Sequence, residues 1–365
     1  MRRLANLSVL SVCLVASAAP LSCAKDDSDQ ARTTTPASAS GSSAPSAADS
    51  ATPPEPRTPE DPKLVWTPSS VVLLRKELAP SVYAILPDDA ATKNAAGIPA
   101  ATSGGFIVGE RGVLVIESMI NRRLATQMLA LVREVTPKPI LYVVNTSYHG
   151  DHSYGNQFFP ASTQVVQHVE AQAYIQRHFT DDVAFMKQYF GANQGLDELK
   201  PRAADVLLND NANVEIDLGG RRATLLHLGF AQTKGDLFVW LPTEKVLYTG
   251  NPIISDGASI PWLLDGQSEA ALATLRKLNA MLPRDATVVP GHGAPTSVKA
   301  VEHHIAYLEE LRKRVADAIA QGLTEQQTVE RVSEAMKVYA AYKIYPWVHS
   351  QVNVPKTYQE LKARK

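Results

Sequence analysis

One short polar segment after a strand-like run places the strongest constraint on this sequence. Residues 140–144 are apolar and β-branched, and the loop that follows brings His149, Asp151 and His152 into four consecutive positions. Imidazole and carboxylate are the usual zinc ligands where no thiolate is available, and a catalytic zinc keeps three protein ligands and one open position. A lone histidine is more often solvated, but a cluster at a strand end marks a site. The segment therefore predicts a metal centre at the edge of a sheet.

Composition narrows the class of protein. The 365 residues carry a formal net charge of −1 and form no basic stripe. This argues against nucleic acid as a partner. The partner expected for the site described below is a small-molecule substrate. The only two cysteines are Cys13 and Cys23, so the chain after residue 23 has neither a disulfide nor a cysteine metal ligand.

Residues 1–23 have the features of an export signal. The chain begins with Met1 and two arginines, and the apolar stretch after them is too short for a spanning helix. Cleavage after the small residues 16–18 would give a soluble periplasmic or secreted protein, whereas a lipid on Cys23 would give a membrane-anchored lipoprotein. We favour the lipoprotein, because residues 24–65 are rich in Ser, Ala, Thr and Pro and predict a disordered spacer.

From residue 66 onward, the pattern predicts one α/β domain. Short β-branched runs between turn residues indicate strands, and apolar residues at helical spacing indicate helices. The predicted strands are 71–74, 82–86, 105–108, 113–116, 140–144, 214–218, 221–228, 237–241, 246–248 and 288–289, and the predicted helices are 124–135, 169–199, 268–282, 298–315 and one after 324.

The chain from about residue 297 is predicted to be a helical extension. Thr324 and Gln327 have the spacing of a capping box for its second helix. Ser268 is expected to cap the helix that precedes the extension. His303 and His304 are expected to face solvent.

The order of the motifs resembles the metallo-β-lactamase superfamily. The histidine cluster is followed by Gly229-Phe-Ala-Gln-Thr-Lys-Gly-Asp236, Val246-Leu-Tyr-Thr-Gly-Asn251 and Pro290-Gly-His292-Gly. The resemblance covers the chain from about residue 73 to its end, and it is specific because several motifs occur in the right order. It implies an αββα sandwich, two mixed β-sheets flanked by helices, with a metal-dependent hydrolase site on one edge.

The resemblance also assigns ligands. The family cluster reads His-x-His-x-Asp-His, so His149, Asp151 and His152 match its second histidine, its aspartate and its third histidine. His292 matches the histidine of the late Gly-His-Gly motif. Together, Asp151, His152 and His292 reproduce the second metal site of the family.

The departures from the family pattern fall on the first metal site and its surroundings. Ser147 replaces the first histidine, Gln232 replaces the histidine before Thr-x-Gly-Asp, Asn251 replaces the bridging aspartate, and Glu117 stands where a supporting aspartate is usual. One imidazole with neutral oxygen donors makes a poor zinc site, so we expect one tightly bound zinc per chain. Three roles remain open for His149: it could approach that zinc, remain a weak ligand of the first site, or position a bound water.

These features predict an exported zinc-dependent hydrolase. Bound zinc lowers the pKa of water to about 7, and the expected substrate is a carbonyl compound such as an ester, lactone, thioester or lactam. His149 or a free oxygen of Asp151 is expected to handle the proton. Ser147, Tyr148 and Asn251 are expected to contact the developing oxyanion or the substrate.

Two other functions remain open on the sequence. The first is a non-catalytic binding protein that kept this fold and lost the first metal site, since fold does not determine function. The second, iron-dependent oxygenation of a persulfide, is weaker because that branch of the family relies on the first site. His227 is expected to be structural, but it is the imidazole to examine if Gln232 does not bind metal.

Overall fold

The computed structural model describes residues 66–256 and 258–364. The predicted signal at residues 1–23, the lipid site at Cys23 and the predicted linker at 24–65 lie outside the described residues. Within the described part of the chain, no helix is both long and apolar enough to cross a bilayer.

A seven-stranded mixed sheet forms the first half of the domain. Its strands are β1 (Leu73–Ala79), β2 (Val82–Pro87), β3 (Gly104–Val108), β4 (Val113–Ile116), β5 (Ile140–Val144), β6 (Gln164–His168) and β7 (Val206–Leu208). The strand order follows the chain. Pairing is antiparallel from β1 to β4 and parallel from β4 to β7.

A six-stranded mixed sheet forms the second half. Its strands are β8 (Asn213–Asp217), β9 (Arg222–Leu226), β10 (Phe238–Leu241), β11 (Val246–Gly250), β12 (Thr287–Pro290) and β13 (Thr296–Ser297). Their spatial order is β13-β12-β11-β10-β9-β8. The β11–β12 pair is parallel, and the other pairs are antiparallel.

Helices cover the outer faces of both sheets. They are α1 (Ala90–Ala95), α2 (Arg122–Val135), α3 (Gly150–Ser153), α4 (Val169–Phe190), α5 (Ser268–Met281), α6 (Val298–Ala320), α7 (Glu325–Ala335), α8 (Tyr345–Trp347) and α9 (Val354–Lys362). A π-helical turn, Val348–Asn353, joins α8 to α9.

Three apolar layers hold the domain together. Ile107 and Leu225 belong to the layer between the sheets, Met128 of α2 belongs to the layer outside the first sheet, and Leu308 of α6 belongs to the layer outside the second. Central strands such as β4 and β10 are buried on both faces, which explains their nearly continuous apolar runs, whereas the edge strands β1 and β8 are largely exposed. The αββα sandwich expected from the resemblance and the C-terminal helical extension predicted from the apolar spacing are both confirmed.

The structure also corrects details of the sequence analysis. Strands β6 and β7 were not predicted. Ser268 does not cap α5, because Gln267 is the N-cap residue and the Ser268 hydroxyl instead donates to Glu360 at 2.8 Å. The Thr324 and Gln327 capping box is present.

The expectation that His304 faces solvent is wrong. Its side chain is fully buried, with Nδ1 donating to the carbonyl of Ala300 at 2.9 Å and Nε2 accepting from the N–H of Ile254 at 3.3 Å. Burial lowers the pKa of His304 to about 3. His303, its neighbour on α6, is half-buried. The buried face of α6 therefore includes His304 and is wider than the spacing of its aliphatic residues indicates.

Strand direction gathers the polar motifs at one edge. Glu117 follows β4, His149 follows β5, Asn251 follows β11 and His292 follows β12. The β4–β5 and β11–β12 pairs are both parallel, so within each pair the carboxyl ends lie side by side. Residues that are far apart in the sequence are thereby brought to one site.

Candidate metal centre

Three predicted ligands meet at this edge. One ligand atom from each of Asp151, His152 and His292 lies within 4.8 Å of the other two. Asp151 Oδ2 is 3.5 Å from His152 Nε2 and 3.6 Å from His292 Nε2. Ligand atoms about 2.0–2.1 Å from a tetrahedral zinc stand roughly 3.4 Å apart. The group therefore fits a zinc ion.

The contacts of the Nδ1 atoms leave the Nε2 atom of each histidine available for a metal. His292 Nδ1 donates to the carbonyl of Ala100 at 3.1 Å, and His152 Nδ1 lies 3.0 Å from Glu117 Oε1. Nε2 of each ring is buried and has no hydrogen-bond partner among the described residues. Metal-bound histidines are oriented in this way, through a carbonyl or carboxylate on the other ring nitrogen.

Buried polar contacts fix the ligands in place. Glu117, 1% exposed, accepts hydrogen bonds from both the N–H and the hydroxyl of Thr146. Its φ of 68° lies in the left-handed region, a strained conformation of the kind found at functional sites. Thr102 donates its hydroxyl to Asp151 Oδ2 at 2.6 Å and forms a backbone bridge to His292. Thr102 thus supports two ligands at once.

The charges of the group interact strongly in the metal-free protein. Burial opposes ionisation of Asp151, but His152, His292 and His149 outweigh it and lower the pKa of Asp151 to about 2. Burial likewise opposes protonation of His152, yet Asp151 and Glu117 raise its pKa to about 9. For His292, burial dominates and lowers the pKa to about 4. A proton on His152 thus occupies the place where a metal ion would bind.

His149 lies outside this group. Its Nε2 is 2.9 Å from Asp265 Oδ2, and its Nδ1 accepts from the amide of Asn251 at 3.2 Å. Burial lowers the pKa of His149, but Asp265 and Asp151 outweigh burial, and the net shift is upward. Both ring nitrogens of His149 are therefore engaged by protein groups, and the structure does not place this predicted ligand in the group of Asp151, His152 and His292.

The remaining predicted residues of the first site have uncharged side chains. Ser147 is fully buried and accepts from the backbone N–H of His149 at 3.2 Å. Tyr148 stacks on Tyr174, with ring centroids 3.7 Å apart. Gln232 is 2% exposed, and neither polar atom of its amide has a hydrogen-bond partner among the described residues. These neutral groups add no charged ligand to the first site.

A second imidazole group, formed by His168, Asp210 and His227, fits a metal poorly. His227 Nδ1 accepts from the backbone N–H of Asn211 at 3.0 Å, and its Nε2 donates to the carbonyl of Lys234 at 3.0 Å. The ring therefore has no free lone pair. Its stacking on His168, with centroids 4.3 Å apart, indicates a structural role for His227.

The group formed by Asp151, His152 and His292 borders a cavity of about 330 Å³. His149, Asp151, Asn251 and His292 line its polar end. Half of the remaining lining residues are aromatic: Trp66, Tyr174, Phe185, Phe190, Trp262 and Trp347. This volume is within the range of small-molecule sites, which combine apolar walls with a few polar groups.

Several residues of the site were not singled out from the sequence. Thr102, Asp265 and Trp262 lie in segments without a regular pattern, and Trp347 comes from the C-terminal extension. The extension therefore shapes the cavity, a role that its apolar spacing does not indicate. A local motif could have revealed none of these contacts, because each depends on a partner distant in the chain.

Comparison with known proteins agrees with this geometry. The model of the Metallo-beta-lactamase superfamily matches residues 97–292, a range that contains all three ligands. A linear primary-alkylsulfatase from Pseudomonas sp. (strain ATCC 19151) is 24% identical over 270 residues, 62% of this chain and 49% of the relative. A type 2 metallo-beta-lactamase from Bacteroides fragilis is 33% identical over 92 residues, 25% of this chain and 37% of the relative. The chain thus spans about half, or less, of the length of these relatives.

Solved structures share the fold. A stereoselective inverting sec-alkylsulfatase from Pseudomonas sp. aligns with a TM-score of 0.57 and 16% identity, covering 80% of this chain and 50% of that one. A metallo-beta-lactamase from Pontibacter korlensis aligns with a TM-score of 0.50 and 15% identity, covering 65% of this chain and 99% of that one. With the family match over more than half of its length, the chain belongs to the metallo-β-lactamase superfamily.

Proposed function

We propose that this protein is a zinc-dependent hydrolase with one tightly bound zinc, held by Asp151, His152 and His292. One observation carries the proposal: the unpartnered Nε2 atoms of both histidines lie 3.5 and 3.6 Å from the same oxygen of Asp151. The relatives named alkylsulfatase and metallo-beta-lactamase support a hydrolytic reaction. The proposed substrate is a carbonyl compound: an ester, lactone, thioester or lactam.

The chain's own residues would supply the proton chemistry. A zinc ion at this group would provide a hydroxide source at neutral pH and polarise the carbonyl oxygen. His149 would hold the transferred proton, because Asp265 stabilises the charged imidazole at Nε2. The Asn251 amide can present either its NH₂ or its oxygen to Nδ1 of His149, so this nitrogen can accept or carry the proton.

The proposal is tested with purified, zinc-loaded protein and a panel of the four substrate classes. We expect turnover of at least one class, and a loss of at least about 100-fold in His292→Ala, because this variant removes a ligand. His178→Ala, at an exposed position on α4, serves as the matched control and is expected to retain activity. Bound zinc with no turnover of any class would refute the hydrolase proposal.

A second candidate, a non-catalytic binding protein, is favoured by the engagement of His149. Both of its nitrogens are bonded to protein groups, so the only imidazole at the first-site position is not directed at a metal. On this alternative, zinc anchors a ligand in the cavity without turnover. Saturable ligand binding to a zinc-loaded protein that hydrolyses nothing would favour it over the hydrolase.

We also propose that the protein is exported and carries a lipid on Cys23. The short apolar stretch in residues 1–23 and the Ser-, Ala-, Thr- and Pro-rich residues 24–65 support this proposal. Labelled palmitate supplied to producing bacteria should be incorporated into the wild type and not into Cys23→Ala. Export without incorporation would instead indicate a soluble periplasmic or secreted protein.

A further inference from the structure

The cavity beside the candidate metal centre presents a continuous aromatic surface. Trp262 stacks on the candidate ligand His292, with ring centroids 5.6 Å apart. The ring of Trp262 also contacts the ring of Trp347, with centroids 6.2 Å apart. At the entrance, Trp347 is 37% exposed and Phe185 is 64% exposed. An apolar wall therefore extends from the metal ligands to solvent, and it would accommodate the apolar body of a substrate.

Three carboxylates are the main charged groups of the cavity wall. Asp151, Asp182 and Asp265 line it, and no lysine or arginine does so among the residues that the structure describes. Asp182 is held in place by the hydroxyls of Tyr154 at 2.9 Å and Tyr174 at 3.2 Å. The neighbouring cation, Lys356, donates its ammonium group to the carbonyl of Leu264 and is not part of the lining.

This charge distribution disfavours an anionic substrate body. Asp265 is paired with His149 at 2.9 Å, and Asp151 belongs to the proposed zinc-binding group. Asp182, bonded only to neutral tyrosine hydroxyls among the described residues, adds a negative charge to the apolar wall. Like charges repel strongly in a partly desolvated cavity, and specificity commonly depends on such a repulsive element.

We propose that the cavity selects uncharged esters or lactones with an apolar body and rejects counterparts whose body carries an anion. The inference rests on the proposed hydrolase function and names the substrate class of the same site. It disfavours substrates whose apolar body carries a carboxylate, because that anion would lie in the part of the cavity that Asp182 lines.

The test uses ligand pairs that differ by one charge at the end of the chain. The substrates are p-nitrophenyl octanoate and the mono-p-nitrophenyl ester of suberic acid, both with eight-carbon acyl chains. We expect kcat/KM of the zinc-loaded full chain to be at least about tenfold higher for the neutral ester. Equal values, or a preference for the anionic ester, would overturn the inference.

Binding gives a second measurement that does not depend on turnover. Octanamide and suberamic acid, the corresponding monoamides, are titrated against tryptophan fluorescence, because Trp66, Trp262 and Trp347 line the cavity. We expect at least tenfold tighter binding of octanamide. If octanamide is preferred but no ester is hydrolysed, the proposed function fails and the charge selection stands. If neither amide binds, or both bind equally, the charge selection fails.

A charge introduced at the entrance provides the matched variants. Phe185→Lys places a cation at an exposed lining position, whereas Phe185→Met keeps an apolar chain of similar length. We expect Phe185→Lys to raise the relative binding and kcat/KM of the anionic ligands at least about fivefold, and Phe185→Met to leave the ratio unchanged. The same change of ratio in both variants would show that charge is not the selecting property.

Discussion

Replacing His304 with glutamine is expected to make the folding stability less sensitive to acid. His304 is fully buried and neutral, with Nδ1 donating to Ala300 and Nε2 accepting from Ile254. Glutamine can supply one donor and one acceptor at similar reach. The substitution therefore keeps the bonding capacity of the site and removes the titratable group.

The size of the effect follows from the pKa of His304 in the two states. Burial lowers this pKa from 6.5 to about 3 in the folded protein, so below pH 6.5 the unfolded chain binds a proton that the folded chain does not. Stability from this residue is therefore present above pH 6.5 and is lost as the pH falls toward 3. Between pH 7 and pH 5, linkage gives a loss of about 2 kcal/mol in the free energy of unfolding.

Urea unfolding at pH 7 and pH 5 measures this difference. The wild type should lose about 2 kcal/mol more between the two pH values than His304→Gln does. The control His178→Gln, at an exposed position on α4, should retain the wild-type pH dependence. An unchanged pH dependence in His304→Gln would show that His304 is solvated or charged in the folded protein, and the description of the α6 core would be wrong.

Three further predictions concern the metal group and the sheet packing. Thr102→Val removes the hydroxyl that donates to Asp151 and should weaken zinc binding about tenfold, measured by competition with a chelator. Thr102→Ser keeps a hydroxyl and should bind zinc as the wild type does. Equal zinc affinities of Thr102→Val and the wild type would contradict the supporting role of Thr102. Zinc binding at pH 7.5 should release about one proton, because the pKa of His152 is about 9 in the protein without zinc. The affinity for zinc should therefore fall as the pH drops below 9. Calorimetry in buffers of different ionisation enthalpy would detect the released proton, and its absence would contradict the protonation of His152. Gly105→Ala would place a Cβ 2.4 Å from the Tyr248 ring and should lower the free energy of unfolding, measured in urea, by about 1–3 kcal/mol. An unchanged free energy of unfolding would mean that the two sheets can move apart at this position.

The strands, and the position of the candidate metal ligands at the edge of the sheets, could be predicted from the sequence for physical reasons. Strands such as β4 and β5 are buried on both faces, so their apolar runs are nearly continuous. The ligands Asp151 and His152 follow such a strand directly, and the family resemblance connects His292 to them. The family position of Glu117 likewise indicated a supporting carboxylate.

The residues that complete the site required the tertiary structure. Strand β6 is not evident from the sequence, because Gln164, Gln167 and His168 flank its two adjacent valines and leave only a short apolar run. His304 was assigned to solvent because histidine is usually exposed on helices, but its two backbone contacts come from different parts of the chain. Asp265 could not be paired with His149 from the sequence, since their contact joins loops that are 116 residues apart.

The most direct test of the central claim is the zinc content of the purified protein, measured by elemental analysis in the wild type and in His292→Ala. We expect about one zinc per chain in the wild type and a loss of that zinc in the variant, because Asp151, His152 and His292 form a three-ligand group. Two zinc ions per wild-type chain would show that the first site also binds metal, with His149 moved from Asp265. Absence of zinc from the wild type, or unchanged zinc in His292→Ala, would contradict the metal centre described for this protein.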